Sequence, residues 1–501
     1  MTATARPART FRFPRPRNGN FAFRRHSTTE LAVGLGTTLV AIVMLLVAPL
    51  PLKAAGVAFA LAGWAAGFAR YRGRTYVAWW EITRAHKRLL RTGTAEWRST
   101  APTRGVQLDG TPLDVEPPPG IGRLTWLSYP TSRGDIAVVL QHDLRVLTAA
   151  LEVEGESVFG AQDIDEQEQT LRLFQDLLDG LGNGRTGINR IGWYARVFSG
   201  DPEAHMRDVE LRRDPEAPER LLTSYHGLAS AVTVSAEEHK LWCVASIDVT
   251  PELLAAANDY DGSADVGLAR EVAKEVDDLI GRLERAQLRV VGVLDEGRLA
   301  AAIHSSYDAS LHQVADSPLS QATAWPATVD ARPWDHVEAR TWQGEAPVLL
   351  ATAWWYQWPQ VPVGANFLAP LLLRAGRMTR TSAVVMDLQR SEVALSKAMA
   401  ERTTAEGRAR GDASAGQLEN PMDAMGRGDM ATASQHHAAG SAGVAMAGYV
   451  TIAASSVSEL ESHKRDIESA ASRAHLGLQW CDGEHYRALV NTLPLGRGLA
   501  R

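Results

Sequence analysis

The sequence predicts an α+β protein: an N-terminal transmembrane helical hairpin followed by a cytoplasmic domain of repeated strand–helix–strand units. Three observations point there. Two apolar stretches, Leu31–Leu50 and Ala54–Ala69, meet at Pro49-Leu50-Pro51-Leu52-Lys53. Arginines flank the pair on both sides. Beyond residue 93, short apolar runs alternate with helix-period patterns.

A hydrocarbon core takes ~20 apolar helical residues, with a range of ~17–25. The first stretch meets that, softened by Thr37 and Thr38, and the second meets it only by sharing Leu50 and Leu52. Arg6, Arg9, Arg12, Arg15, Arg17, Arg24 and Arg25 precede the pair; Arg70, Arg72, Arg74, Arg84, Lys87, Arg88 and Arg91 follow it. Cationic flanks on both sides favour two cytoplasmic ends, and Lys53 in the turn can snorkel to the far headgroups. The expectation is therefore a multi-pass inner-membrane protein with both termini cytoplasmic and its hairpin at residues 29–70. A signal peptide fits less well, since no A-x-A-like site ends the first stretch and a second follows. A buried core hairpin is the other alternative. Residues 1–28 read as a basic arm, disordered until it meets lipid or protein.

Residues 71–98 read as an Arg/Trp-rich interfacial helix, with Tyr71, Tyr76, Trp79 and Trp80 joining Lys53 as membrane-interface candidates. The first core helix of the following domain is the alternative for this segment. Residues 1–92 hold 15 basic and 2 acidic side chains, a net of +13, whereas 93–501 hold 37 and 56, a net of −19. That asymmetry suggests anionic lipid at the front and argues against direct nucleic-acid binding behind it.

Residues 93–501 exceed the size at which one core keeps growing, so two subdomains are expected, 99–314 and 333–501, joined by a connector at 315–332. Strands are predicted at Ile136–Leu140, Leu144–Val153, Ile188–Phe198, Leu241–Val249, Leu288–Leu294, Val348–Trp358, Ser382–Leu388, Ala447–Ala453 and Leu476–Trp480. Helices are predicted at Asp163–Leu181, Pro218–Thr233, Ala264–Gln287, Glu296–Tyr307, Ser391–Gly411 and Ser456–Ala474. This order suggests ferredoxin-like or split β-α-β modules placed beside one another. Residues 404–446, rich in Ala, Gly, Met and Ser, read as a mobile excursion because their glycines would interrupt a helix. Cys243 and Cys481 lack C-x-x-C spacing and read as buried hydrophobes in a reducing compartment.

The motifs exclude more than they assign. The six lysines are Lys53, Lys87, Lys240, Lys274, Lys397 and Lys464, and none lies between Gly and Ser/Thr as a P-loop requires. Gly182-Asn183-Gly184-Arg185-Thr186-Gly187 matches G-x-G-x-x-G but follows a helix and precedes a strand, the reverse of a dinucleotide site. His336-Val337-Glu338 has the H-x-E form of zinc deaminases without the P-C-x-x-C partner. His436-His437 has no partner at a metal-ligand spacing. Asp335, His336 and Glu338 form a titratable cluster, and Trp354-Trp355-Tyr356 with Trp358 could stack a ligand or build core. No catalytic, cofactor or metal residue is assigned.

Basic arm, apolar hairpin, the Arg70–Arg98 segment, a large α+β domain and the ending Asn491-Thr492-Leu493-Pro494-Leu495-Gly496 together resemble an actinobacterial family of conjugation or type IV secretion-like membrane proteins. The hairpin is similar to a PrgI-like two-helix subunit. The rest resembles the amino-terminal, non-ATPase region of TraC-like conjugation ATPases. The resemblance implies a non-enzymatic, oligomeric scaffold that docks a TraC-like ATPase encoded elsewhere and contacts other secretion membrane subunits. Alternatives are a type VII secretion-like membrane subunit and a membrane-tethered enzyme with an unrecognised site.

Overall fold

The computed structural model describes residues 13, 28–47, 49–71, 74–100, 116–155, 163–199, 218, 220–221, 223–225, 227–228, 237–260, 262–308, 319–342, 346–373, 375, 378–414 and 421–499. Most of the basic arm and the helix predicted over Pro218–Thr233 lie largely outside those residues.

Helices α1 (Thr28–Val47) and α2 (Leu50–Phe68) form an antiparallel pair. Pro51 in the first turn of α2 suits its missing N–H. Among the described residues, no helix is long and apolar enough to cross a membrane. This overturns the transmembrane hairpin and the multi-pass inner-membrane placement. The pair is held by polar as well as apolar contacts: the Trp64 indole donates to Thr38 Oγ1 at 2.8 Å. Leu35, Leu39, Ile42, Val43 and Leu46 remain exposed on α1.

A short ribbon, β1 (Arg70–Tyr71) and β2 (Arg74–Thr75), leads into α3 (Tyr76–Thr92), capped by Thr75 and ended by Gly93 in the left-handed region. Val77, Ile82 and His86 are its buried residues. Ile82 and His86 face the body, against Gly483 and Trp334.

One antiparallel sheet of 13 strands forms the body. It contains two copies of the same connectivity. The first module runs β6 (Val146–Gly155), α4 (Ile164–Asn183), β7 (Ile188–Ser199), β8 (Glu237–Asp248), α5 (Pro251–Asn258), α6 (Ala264–Arg285) and β9 (Leu288–Val293). Its spatial order is β9-β6-β8-β7, the fourth–first–third–second arrangement of a ferredoxin-like βαββαβ unit. The second runs β12 (Val348–Gln357), α8 (Ala369–Leu373), β13 (Arg380–Gln389), α9 (Ser391–Ser414), α10 (Pro421–Ala438), β14 (Gly443–Ala454), α11 (Val457–Arg473) and β15 (Gly477–Trp480), and its order is β15-β12-β14-β13. Each module's first strand also carries an antiparallel pair on its outer side. These are β4 (Leu124–Thr131) with β5 (Gly134–Gln141), and β10 (Thr328–Asp330) with β11 (Val337–Arg340); β3 (Glu96–Arg98) adds to β10. The modules join through β7 and β13, so one sheet crosses both.

Helices α4 and α6 cover one face of the first module around Leu177, Val272, Val276, Leu279 and Ile191. Helices α8 and α11 cover the same face of the second around Leu371, Leu460 and Ile467. A third core runs across both modules on the opposite face. There α7 (Glu296–Ser305), α12 (His485–Leu489) and the chain end supply Leu299, Ile303, Leu489, Leu493 and Leu495. Helix α4 starts from a capping box, Asp163 with Glu166, which satisfies two of its otherwise unpaired N–H groups.

Two sequence expectations shift here. Ala324, Trp325 and Val329 of the expected connector are buried in the shared core, so the segment is structural. Much of 404–446 is helical: α9 and α10 pair antiparallel as an insertion between β13 and β14. Favourable Ala, Met, Arg and Glu propensities and mutual packing outweigh the ~1 kcal/mol that each helical glycine costs. Asn183 ties the base of this insertion down, bonding Gly440 O and the Ser391 N–H.

Candidate functional site at the seam between the modules

The seam is built from the β7 sequence Ile188–Ser199 and the β13 sequence Arg380–Gln389, which place arginines at intervals in apolar strands. Alternation turns Arg190, Tyr194 and Arg196 to the face of the shared core, and Thr381, Ala383, Val385 and Asp387 oppose them. Arg190 and Asp387 are register partners, as are Arg196 and Thr381, each three residues from the central Trp193–Val384 pair. Arg190 Nε donates to Asp387 Oδ1 at 2.5 Å and Nη2 donates to Oδ2 at 3.2 Å. Arg196 donates to Thr381 Oγ1 at 3.0 Å, to Asp308 O at 3.1 Å and to Ser305 O, the end of α7. Burial holds the Arg196 guanidinium down to about 10, against the opposing pull of Asp308.

The chain end closes the seam. Leu493 and Leu495 are fully buried. Thr492 joins a hydroxyl chain with Thr451 and Thr352, each step 2.8 Å. Gln141 donates to Leu495 O at 2.6 Å, and Arg190 donates to Gly496 O at 3.1 Å and Leu499 O at 3.4 Å. Arg497 reaches Gln141 Oε1 at 2.7 Å, Asp143 Oδ1 at 2.8 Å and the carbonyls of Gly120 and Ile121. On the second module, the Tyr449 hydroxyl donates to Gly498 O at 2.6 Å, and burial pushes its pKa up to about 12. Gly496 has φ +67°, and a Cβ there would lie 2.3 Å from Ser246 Oγ. One segment thus touches both modules, and its glycines are required by close approach.

The other sequence-singled residues lie apart from this seam. Trp79 donates to Tyr71 O at 2.8 Å and sits 6.4 Å from Trp334, whose ring also meets His86 edge-on at 5.1 Å. Arg74 completes this contact with a 2.8 Å bond to Glu484. Tyr71, Tyr76 and Trp80 are exposed. Lys53 is partly buried in the first turns of α2. His336 bonds Asp335 at 3.0 Å and lies 3.7 Å from Glu338, while Lys464 approaches Asp335 at 3.7 Å. Burial raises the Asp335 pKa, but His336 and Lys464 overcome it and hold the carboxyl below its usual range. Among the described residues, no group of three or more His, Cys, Asp or Glu side chains is placed to hold a metal ion. Cys243 and Cys481 are buried free thiols, and burial pushes Cys481 up to about 12.

Sequence reasoning missed the four arginines buried among the described residues, Arg190, Arg196, Arg380 and Arg497. The available signal was charge inside strand-like apolar runs, at 190, 196 and 380; nothing local marks Arg497. Arg380 pairs with Glu237 at 3.1 and 3.2 Å on the helix-covered face. Such pairs and carbonyl contacts fix geometry more than they add net stability. The seam thus joins the two modules through the ion-pair, hydroxyl and carbonyl contacts of buried arginines. A scan of protein-family models finds no match to the chain, and a search of curated proteins finds none either.

Proposed function

We propose that this chain is a non-enzymatic scaffold component of a conjugation or type IV secretion-like apparatus, and that its α+β body docks a TraC-like ATPase. The observation that carries this reading is the joined body: two modules share one sheet, and the chain's own end straps their seam. A platform against which a motor works must keep one geometry, and sites on sheet-borne, hydrogen-bonded supports hold position better than sites on loops. The sequence has no P-loop lysine, which is consistent with a docking role beside a separate motor.

The test is affinity capture of the tagged full chain, after cross-linking in cells that carry the transfer apparatus. Enrichment of the secretion ATPase with the chain is the expected result. Recovery of the chain without any secretion ATPase would overturn the reading.

A further inference from the structure

Phe13, from the arginine-rich arm, sits among aromatic side chains of the second module. Its ring stacks on Trp358 with centroids 5.1 Å apart and planes 28° apart, and lies 5.1 Å from Phe367 at 58°. Trp358 in turn meets Trp355 edge-on at 5.4 Å and 70°. Trp355 is 1% exposed and belongs to the core under α8 and α11, so Trp358 rests on a buried side chain. Trp358 follows the end of β12 and Phe367 precedes α8, which places the two rings in the connection between the module's first strand and first helix. These separations and tilts are those that aromatic pairs favour.

The local sequence suits an anchor. Phe13 stands in Phe11-Arg12-Phe13-Pro14-Arg15-Pro16-Arg17. A proline at position 14 biases Phe13 toward extended backbone, which removes part of the ordering that binding would otherwise require. We propose that the Trp358–Phe367 cleft is a binding site for a phenylalanine carried on an Arg/Pro-rich segment. The chain's own arm fills it in cis through Phe13, latching the basic arm to the second module. Because the anchor is tethered, its effective concentration exceeds that of a free competitor, so the cleft is closed to outside segments while Phe13 is in place.

The experiment uses a fluorescent peptide of residues 6–19 and two full-length chains, wild type and Phe13→Ala. Both substitution and peptide lie in the arm, so the folded body is unchanged. The Phe13→Ala chain is expected to bind the peptide at least tenfold more tightly than wild type does. A peptide carrying Phe13→Ala, which keeps every arginine and Phe11, is expected to bind neither chain. Equal binding to both chains, no binding to the Phe13→Ala chain, or binding of the substituted peptide would each overturn the proposal. The result is independent of whether the body docks an ATPase.

Discussion

Arg190 and Asp387 face each other across the strands that join the two modules, and the same guanidinium reaches the carbonyls of Gly496 and Leu499. One side chain therefore couples the first module, the second module and the chain end. Arg190 is 2% exposed whereas Asp387 is 29% exposed, so solvent partly screens the acid but not the base.

Asp387→Asn should destabilise the protein by about 2 kcal/mol, because it leaves a buried guanidinium without its counter-charge. The partial exposure of Asp387 keeps the loss below the ~3–5 kcal/mol of a fully buried pair. Urea unfolding at neutral pH reads this as a lower midpoint at unchanged slope. An unaltered midpoint would show that the pair is not what holds the seam.

Gly496→Ala combines a left-handed backbone with a Cβ placed against Ser246. A loss of roughly 2 kcal/mol is expected, together with faster amide hydrogen exchange at the chain end than in β6 or β8. Exchange that stays as slow as in wild type would mean that the end packs without needing that glycine.

His485 is buried and its Nδ1 accepts the Thr352 N–H at 3.0 Å, so the neutral ring is the one the fold uses. Burial lowers its pKa, and burial likewise lowers that of His304. The unfolded chain then binds more protons than the folded one below about pH 6.5. Stability is fully present above that pH and is lost as pH falls through it. Thermal unfolding between pH 7.5 and 5.5 should show a falling midpoint, with a shallower slope in His485→Gln. A flat profile for the wild type would contradict the neutral-ring assignment.

The α9–α10 insertion leaves the β13–β14 ladder at Gln389–Gly443, so the sheet does not depend on it. Replacing residues 392–441 by a short turn should preserve a single cooperative unfolding transition. The midpoint should fall by only a few degrees, since about 1 kcal/mol moves a large domain's midpoint by ~2–4 °C. Loss of cooperative unfolding would show that the insertion is part of the core.

Much of the fold was legible locally. The nine strands predicted from apolar runs all have counterparts, because half-buried alternation and continuous burial leave a direct trace in sequence. Helices α4, α6 and α11 have counterparts among the predicted helices, α6 through its apolar stripe of Val272, Val276 and Leu279. Strand β4 was missed because Ser128, Tyr129 and Pro130 break its pattern, and its identity comes from pairing with β5. The expected connector failed for a similar reason: Trp325 is core only because the shared face of two modules covers it. The hairpin's pairing was legible in its apolar runs, but its membrane assignment was not sustained. The seam was invisible. No local signal says that Arg190 meets Asp387, or that Arg497 returns to Asp143, since those partners lie far apart in the chain.

As proposed above, the body serves as a docking platform for a separate motor. The most direct measurement is light scattering coupled to size exclusion, with the purified full chain and a purified TraC-like ATPase mixed at micromolar concentrations. A co-eluting complex of defined mass, formed equally well by the Phe13→Ala chain, is the predicted result. Separate elution of the two proteins at every ratio would contradict the account.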